Sequence, residues 1–406
     1  MMKFEIAVDA KKHDEFVNKS PLNHLLQSST WAKVKDNWAS EIVGVTDDSG
    51  ELIASSLVLI KKLPLGFTMF YTPRGPIMDY KNAALVTFFF DNLKKFAKKQ
   101  HALFIKIDPA ILYRTSKFGS KETAEIIPES LEIIKNIKTA GGDHLGFNMV
   151  MGETIQPRFQ ANEPLRTADE MDKIYPKHAK RIMKDAVNRG VVGRRVGMEK
   201  LQNFSDVVSM TESRKGVALR NSEYFKQLMT LYGEDAYLHL AEVNLKKKYA
   251  ELQAQHAQIE KDIAETPENQ KKRFNRLNDQ KKSTEKYLKE FENYDTQTDD
   301  TTVIAGILSI KFGDTMEMLY AGMNDDFKKF YPQYLLYPQV FAESFADGAN
   351  WANMGGVEGD LEDGLSKFKS NFNPDIQELI GEFNIPVNKV LYRLSNLAYK
   401  LRKKMR

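Results

Sequence analysis

The sequence predicts a mixed α/β (α+β) protein made of two tandem units, with an antiparallel helical arm inserted in the second. Three observations carry this. Hairpin strands, a central strand and flanking helices recur in the same order in both halves of the chain. Two strand-like stretches, Ala236–Ala241 and Val303–Ile310, are separated by a long heptad-patterned run where a turn would be expected. Hydrophobic residues make up 42% of the 406, enough for two ordinary cores.

In the first half, Glu41–Val45 and Leu52–Ile60 read as strands on either side of the turn signal Asp47-Asp48-Ser49-Gly50. Thr68–Thr72 follows, ended by Pro73-Arg74-Gly75-Pro76. Residues 82 to 100 carry the period of an amphipathic helix, and Ala102–Pro109 is a strand stopped by proline. A helix over 129–139 closes at Gly141-Gly142.

The second half begins with a strand-like stretch near Arg158, then a basic helix and helices over 203–216 and 221–232. The split strand pair follows, then a strand over 315–321, a helix over 334–345 and a short strand near Trp351. Within the arm, Leu245, Tyr249, Leu252, His256, Ile259 and Ile263 alternate four and three residues apart. After Pro267 the pattern resumes at Phe274, Leu277, Lys281, Thr284, Leu288 and Phe291. That spacing gives two helices sharing a narrow seam. At ~1.5 Å per residue, each would project roughly 30 Å. The arm is too polar to be core, so it reads as a handle for a large partner or as a dimerisation coiled coil.

Charge is nearly balanced, with a net +4, so its distribution matters more than its total. Lys177, Lys180, Arg181 and Lys184 share one helical face, with Arg189, Arg194 and Arg195 just beyond. Such a face suits phosphates, and a solvated surface is the competing reading. In the last segment Val390, Leu394, Leu397, Ala398, Leu401 and Met405 form an apolar stripe beside Arg393, Lys400, Arg402, Lys403, Lys404 and Arg406. Its first turns are expected to dock on the protein and its last to be drawn to an anionic membrane. The chain has no cysteine, which excludes disulfides, thiolate catalysis and Cys-ligated zinc. The opening Met1–Asp9 alternates like a strand, and no secretory signal is expected from it. No apolar stretch reaches the ~20 residues needed to span a bilayer.

The usual catalytic signatures (HExxH, Walker loop, GxSxG, GxGxxG) are absent, and the seven histidines are scattered. No metal site and no cofactor are expected. Coenzyme A would need a Gly-rich turn after the central strand, whereas here Gly322 is followed by Asp325 and Asp326, which repel a pyrophosphate. Asp108 is a candidate general base at a strand end, and equally a simple Asp-Pro strand stop.

Several motifs in order along nearly the whole chain carry a resemblance. They are Gln27-Ser28-Ser29-Thr30-Trp31-Ala32-Lys33-Val34-Lys35-Asp36-Asn37-Trp38, Arg74-Gly75-Pro76-Ile77-Met78-Asp79, Ile107-Asp108-Pro109 and Thr154-Ile155-Gln156-Pro157-Arg158. Arg220-Asn221-Ser222-Glu223-Tyr224-Phe225, Leu319-Tyr320-Ala321-Gly322, Gly355-Gly356-Val357 and Phe368-Lys369 follow. With them the chain resembles the Fem/Mur aminoacyltransferases (FemX, FemA, MurM), which build peptidoglycan cross-bridges from aminoacyl-tRNA. The coiled-coil arm is a feature of the FemA and MurM branches, and the layout is nearest to MurM.

The resemblance implies two tandem acetyltransferase-like (GNAT-like) domains, at 1–153 and 154–380. The arm at 244–297 is inserted in the second, and a terminal helix at 381–406 docks on the first. It implies that Lys35, with Trp38 beside it, binds the acceptor's phosphates. Arg220 and Tyr224 match a second phosphate or sugar contact, and Tyr320 a cleft tyrosine. Lys369, preceded by Phe368, matches a lysine that stabilises charge at the reacting ester. Phe104 stands where FemX has a tyrosine, so a hydroxyl role there is lost. The implied activity transfers Ala, Ser or Gly from aminoacyl-tRNA to the stem-peptide lysine of a peptidoglycan precursor, lipid II in particular. The tRNA-binding candidates are Lys177, Lys180, Arg181 and Lys184. A monomeric cytoplasmic enzyme, peripheral at the inner face of the plasma membrane, is expected. The alternatives are a transferase acting on protein N-termini, or a non-catalytic binder of tRNA or a membrane surface. The set Lys35, Arg220 and Lys369 discriminates against the last, since a pure binder needs no cation at the ester.

Overall fold

The structure, a computed structural model, describes residues 1–215 and 220–404, and their side chains except those of 122, 212–215 and 398–404. Gly216, Met405 and Arg406, and the side chains of Ala398, Lys400, Leu401, Arg402, Lys403 and Lys404, lie outside the described set.

Two eight-stranded sheets form the body. The first runs Lys3–Ile6, Ala39–Thr46, Leu52–Lys62, Thr68–Thr72, Ala102–Ile107, Phe383–Pro386, Asp143–His144, with Ile77–Met78 paired to the third of these. The second runs Val192–Val196, Ala236–Asn244, Thr301–Phe312, Thr315–Met323, Trp351–Gly356, Phe159–Pro164, Asp375–Leu379, Leu112–Ser116. Each sheet has one parallel pair at the same place: Thr68–Thr72 with Ala102–Ile107, and Thr315–Met323 with Trp351–Gly356. Parallel neighbours need a crossover, supplied by the helices Ala83–Lys99 and Pro332–Ala346. The order of strands and helices is thus used twice.

The sheets do not respect the sequence boundaries near residues 153 and 380. Leu112–Ser116, from the first half, closes the second sheet against Asp375–Leu379. Phe383–Pro386 inserts in the first sheet between Ala102–Ile107 and Asp143–His144. The segment 381–406 is therefore not one helix. Phe383 and Ile385, both fully buried at strand spacing, hold its start in the sheet, and the helix begins at Lys389 after Pro386.

Two cores pack each sheet against its helices, the first around Phe89, Phe90 and Leu93, the second around Leu336, Val340 and Phe341. A third lies between the units. Leu25, Trp31, Leu57 and Leu59 meet Phe204, Phe225, Leu238 and Ile310 there. Burial of each such side chain contributes roughly 1.5–3 kcal/mol, so the units hold each other as one body.

The arm stands where the hairpin turn would be. Asn244 and Thr301 are the last paired residues, and Asn244 caps the helix Leu245–Ala264 by accepting from Lys247 N. The returning helix is Lys271–Phe291. Leu252, Ile259, Leu277 and Thr284 are buried in the seam, while Phe274 near the tip is exposed. Lys281 Nζ donates to Glu260 at 2.7 Å, and His256 lies 3.3 Å from Glu285, which fixes the register. One expectation is corrected. The root of the arm is core, because Leu245, Leu252 and Phe291 join the second cluster and Phe291 packs on Phe330 at 5.5 Å. Among the described residues no helix is long and apolar enough to cross a membrane.

Candidate active site between the two units

Two short helices bring the first group together. Ser28 caps the helix Ser29–Val34, which ends at Lys35, and Asn221 caps the helix Ser222–Tyr232, which puts Tyr224 in its first turn. They pack across the interface: Gln227 Nε2 donates to the Lys33 carbonyl at 2.9 Å, and the Ser28 and Tyr232 hydroxyls are 2.9 Å apart. Lys35 Nζ then lies 5.0 Å from the Trp31 ring and 5.8 Å from the Tyr224 ring, and the Arg220 guanidinium lies 4.9 Å from the same Tyr224 ring. Two cations share one aromatic ring. Burial, and then the positive charge of Arg220, draw the Lys35 pKa down. An anion placed between them would relieve that repulsion.

This group lines a cleft of about 500 Å³ with Trp38, Tyr71, Ile155 and Gln156. Trp38 packs edge-on to Tyr71 at 6.5 Å and carries Lys61 Nζ 5.2 Å over its ring. Tyr320 does not line the cleft. It backs Tyr224, donating to its hydroxyl at 3.4 Å. Phe104 is likewise set behind, 5.4 Å from the ring of Tyr392.

Below the cleft, Asp108 is buried. Its Oδ1 accepts from Arg74 N at 2.8 Å and its Oδ2 from the Tyr71 hydroxyl at 3.1 Å. Burial pushes its pKa up to about 6 against the pull of Arg74. Asp108 does not line the cleft itself, and its partner Tyr71 does. Arg74 Nη2 also donates to the Pro157 carbonyl at 2.7 Å, which pins the segment bearing Ile155 and Gln156.

That segment leads to Lys369. Pro157 lies so close under Gly356 that a Cβ there would come within 2.5 Å of it. The Gly355 and Gly356 carbonyls accept from Lys369 Nζ at 2.9 and 2.8 Å, and Lys369 is only 2% exposed. Gly355 sits at φ +86°, where a side chain would strain the turn. Asn353 holds the turn, with Oδ1 accepting from Gly355 N at 2.7 Å and Nδ2 donating to Glu317 at 2.9 Å. Phe368, one residue earlier, faces a second cavity of about 450 Å³ lined by Met323, Tyr331, Tyr334 and Tyr337. Lys369 itself lines neither cavity; it is buried under the Gly355-Gly356 turn, next in sequence to Phe368 of the aromatic one.

Sequence reasoning named Lys35, Trp38, Arg220, Tyr224, Phe368 and Lys369, but not Tyr71, Arg74, Gln156, Asn353 or Lys61. Arg74 and Gln156 stood in quoted motifs, so a signal existed without a role attached. Lys177, Arg181 and Lys184 are exposed, and Lys180 bonds Asp172 at 3.1 Å, on the helix Lys177–Asn188, which contributes nothing to the cleft lining. The arginines beyond them leave the phosphate-binding reading. Arg189 is buried against Asp185 and Glu290, Arg194 pairs with Glu242, and Arg195 stacks on Tyr237.

Two antiparallel runs, each splaying into a parallel pair, with a cleft between them, define a tandem acetyltransferase-like protein. The FemAB family model matches residues 8–400, and the chain belongs to the FemAB family. It is 28% identical to a lipid II:glycine glycyltransferase of Staphylococcus aureus (strain bovine RF122 / ET3-1), over 95% of this chain and 93% of that protein. It is also 28% identical to the aminoacyltransferase FemA of Staphylococcus aureus (strain MRSA252), over 98% and 97%. The crystal structure of FemX superposes with a TM-score of 0.79 at 26% identity, covering 97% of this chain and 99% of that one.

Proposed function

We propose that this protein is a peptidoglycan-bridge aminoacyltransferase, moving Ala, Ser or Gly from aminoacyl-tRNA to the stem-peptide lysine of a lipid-linked precursor. The observation that carries this is the cation pair Lys35 and Arg220 at one end of a cleft whose wall continues, through Gln156 and Pro157, to the buried Lys369. A diphosphate needs fixed cations, and charge-assisted contacts from two side chains supply them. The named relatives, a lipid II glycyltransferase and an aminoacyltransferase, support the same acceptor and reaction class.

In the reaction the neutral amine of the acceptor lysine attacks the carbonyl carbon of the aminoacyl ester. The carbonyl electrons move to oxygen, and the cation of Lys369, fixed by two backbone carbonyls, lowers the energy of that oxyanion. Collapse breaks the bond to the ribose oxygen, which leaves as a hydroxyl after taking back from the Tyr71–Asp108 pair the proton the amine gave up, and the new amide remains on the acceptor. The proton lost by the attacking amine passes to the Tyr71–Asp108 pair, with Tyr71 at the cleft and Asp108 behind it. Because the ester is already activated, orientation supplies much of the rate. The aromatic cavity beside Phe368 suits the nucleoside end of the donor, which stacks on tyrosine rings.

The tRNA body is assigned to the basic helix and the arm. Asp185 and Arg189 tie that helix to Tyr287 and Glu290 of the returning arm helix, which carries Lys271, Lys272, Arg273, Arg276, Lys282, Lys286 and Lys289. These contacts set the basic helix beside the root of the arm, and the lysines and arginines of both are the groups proposed to meet the tRNA polyanion. The enzyme works as a monomer at the inner face of the plasma membrane. Incubation with mixed charged tRNAs and a lipid-linked muropeptide, followed by mass measurement, is the test. A product heavier by one amino-acid residue on the stem lysine is expected, and no mass gain with any charged tRNA would sink the proposal.

A further inference from the structure

Among the described side chains, the apolar stripe of the last helix faces solvent and not the protein. The helix Lys389–Lys404 is fixed by other groups: Asn388 caps it, accepting from Val390 N and Leu391 N at 3.1 Å, and Val387 N donates to Leu103 O. Tyr392 anchors it, 7% exposed, with its hydroxyl accepting from Asn384 at 2.9 Å and its ring on Phe104. Val390, Leu394 and Leu397, at i, i+4 and i+7 on one face, are 68%, 57% and 56% exposed. A helix with so prominent an uncovered stripe has an occupant to find.

Charge identifies it. From Val387 to Arg406 the sequence holds Lys389, Arg393, Lys400, Arg402, Lys403, Lys404 and Arg406 and no acidic residue, in a chain of 59 basic and 55 acidic residues. A second copy would set two such helices of one sign face to face. An anionic bilayer offers an apolar layer for the stripe and negative charge for its flanks together. We propose that this helix is an interfacial anchor that binds the surface of an anionic lipid membrane through Val390, Leu394 and Leu397, with the surrounding lysines and arginines on the headgroups.

The anchor is rooted beside the cleft. Phe104, under Tyr392, lies on the strand Ala102–Ile107, whose parallel neighbour carries Tyr71. If the acceptor is lipid-linked, this seats the cationic cleft next to the layer that holds its substrate. The docking itself rests on the helix alone.

The test is sedimentation of the full chain with phosphatidylglycerol–phosphatidylcholine vesicles and with phosphatidylcholine vesicles. Binding to the anionic vesicles, weakened as salt rises from about 0.15 M to about 1 M, is expected. The triple variant Val390→Ser, Leu394→Gln, Leu397→Gln should partition at least roughly tenfold less. Since all three side chains face solvent, an unchanged melting temperature should accompany that loss. A second variant, Lys403→Glu with Lys404→Glu, should reduce anionic binding and leave phosphatidylcholine binding as it was. Equal partition of the triple variant, or equal wild-type binding to both vesicles, overturns the proposal. So does a wild-type dimer that the triple variant dissolves, because the occupant would then be a second copy. Transfer assays keep the two proposals apart. Sedimentation without any aminoacyl transfer leaves the anchor standing and removes the enzyme, while transfer without sedimentation does the reverse.

Discussion

Lys35 and Lys369, the two lysines to which the proposed reaction gives a part, are built in opposite ways. Lys35 is half-buried, held over two aromatic rings and crowded by a second cation, which leaves it readily satisfied by an incoming anion. Lys369 is buried and already donates to the two carbonyls of the Gly355-Gly356 turn. One lysine is poised to gain a partner, whereas the other fixes a charge and the backbone around it at once. In the proposed reaction the same side chain would serve affinity in one place and turnover in the other, with burial and prior hydrogen bonds setting the difference.

The largest test of this contrast is Lys369→Met. Loss of a preorganised oxyanion-stabilising cation should slow the chemical step on the order of 100- to 1,000-fold, seen in single-turnover kinetics at saturating acceptor. It should also lower the melting temperature, because two carbonyls lose their donor, at about 1–3 kcal/mol for each buried group left unmet. A raised acceptor Kd with normal chemistry would erase the distinction from Lys35.

Asp108→Asn comes next, with an expected loss of roughly 100-fold in rate. The sign of the pH effect follows from its raised pKa. Below about 6 the carboxyl is protonated and cannot take a proton, so the wild-type rate should fall as pH drops through that value. The variant should lack this limb, and a pH–rate profile of the same shape in both proteins would exclude Asp108 from the proton route. For stability the same shift runs the other way. The folded state binds the proton more tightly than the unfolded chain, so this group's contribution is full below the ordinary carboxylate value and declines as pH rises through about 6.

For Lys35→Ala and Arg220→Ala, acceptor affinity should fall ~10- to 150-fold each, from about 1.5–3 kcal/mol per charge-assisted contact, with tRNA binding and melting temperature little changed. Titration with the muropeptide reads it. Both lysine and arginine stand at the edge of the body, so neither variant should share the stability loss of Lys369→Met.

The smallest effect is expected from the arm. Removing residues 257–283 with a short Gly-Asn turn keeps the buried root, Leu252 and Phe291, and should leave the body folded. Transfer from full-length charged tRNA should drop about tenfold, on loss of several phosphate contacts, while a minimal aminoacyl-ester donor should be unaffected. Equal loss with both donors would show that the arm does not grip tRNA.

What the sequence allowed and what it hid follow from range. The arm is legible because its seam repeats over two long helices, and so are strands such as Leu52–Lys62, an apolar-rich run beside a turn signal. Leu112–Ser116 and Phe383–Pro386 are short, and their partners lie far away in the other half, so no local pattern marks them. The stripe at Val390, Leu394 and Leu397 shows the limit of periodicity, which assigns residues to a face without saying what the face meets. At the site, Lys35, Arg220 and Lys369 were reached through motifs. The link between them through Tyr71, Arg74 and Pro157 exists only because two units are packed together, and nothing in the spacing of residues 71, 74 and 157 announces it.

The exchange of strands between the sheets also sets the order in which this protein can be made. As the chain leaves the ribosome, Ala102–Ile107 and Asp143–His144 flank a slot roughly two strand spacings across, ~10 Å, whose filler does not yet exist. The slot stays open until Phe383–Pro386 emerges. Until then an unpaired edge is presented to every neighbour in the cell, so the nascent first half needs shielding while the second is translated. Cutting the gene near codon 153 would yield two pieces, each holding a strand that belongs to the other, which should fold only when made together.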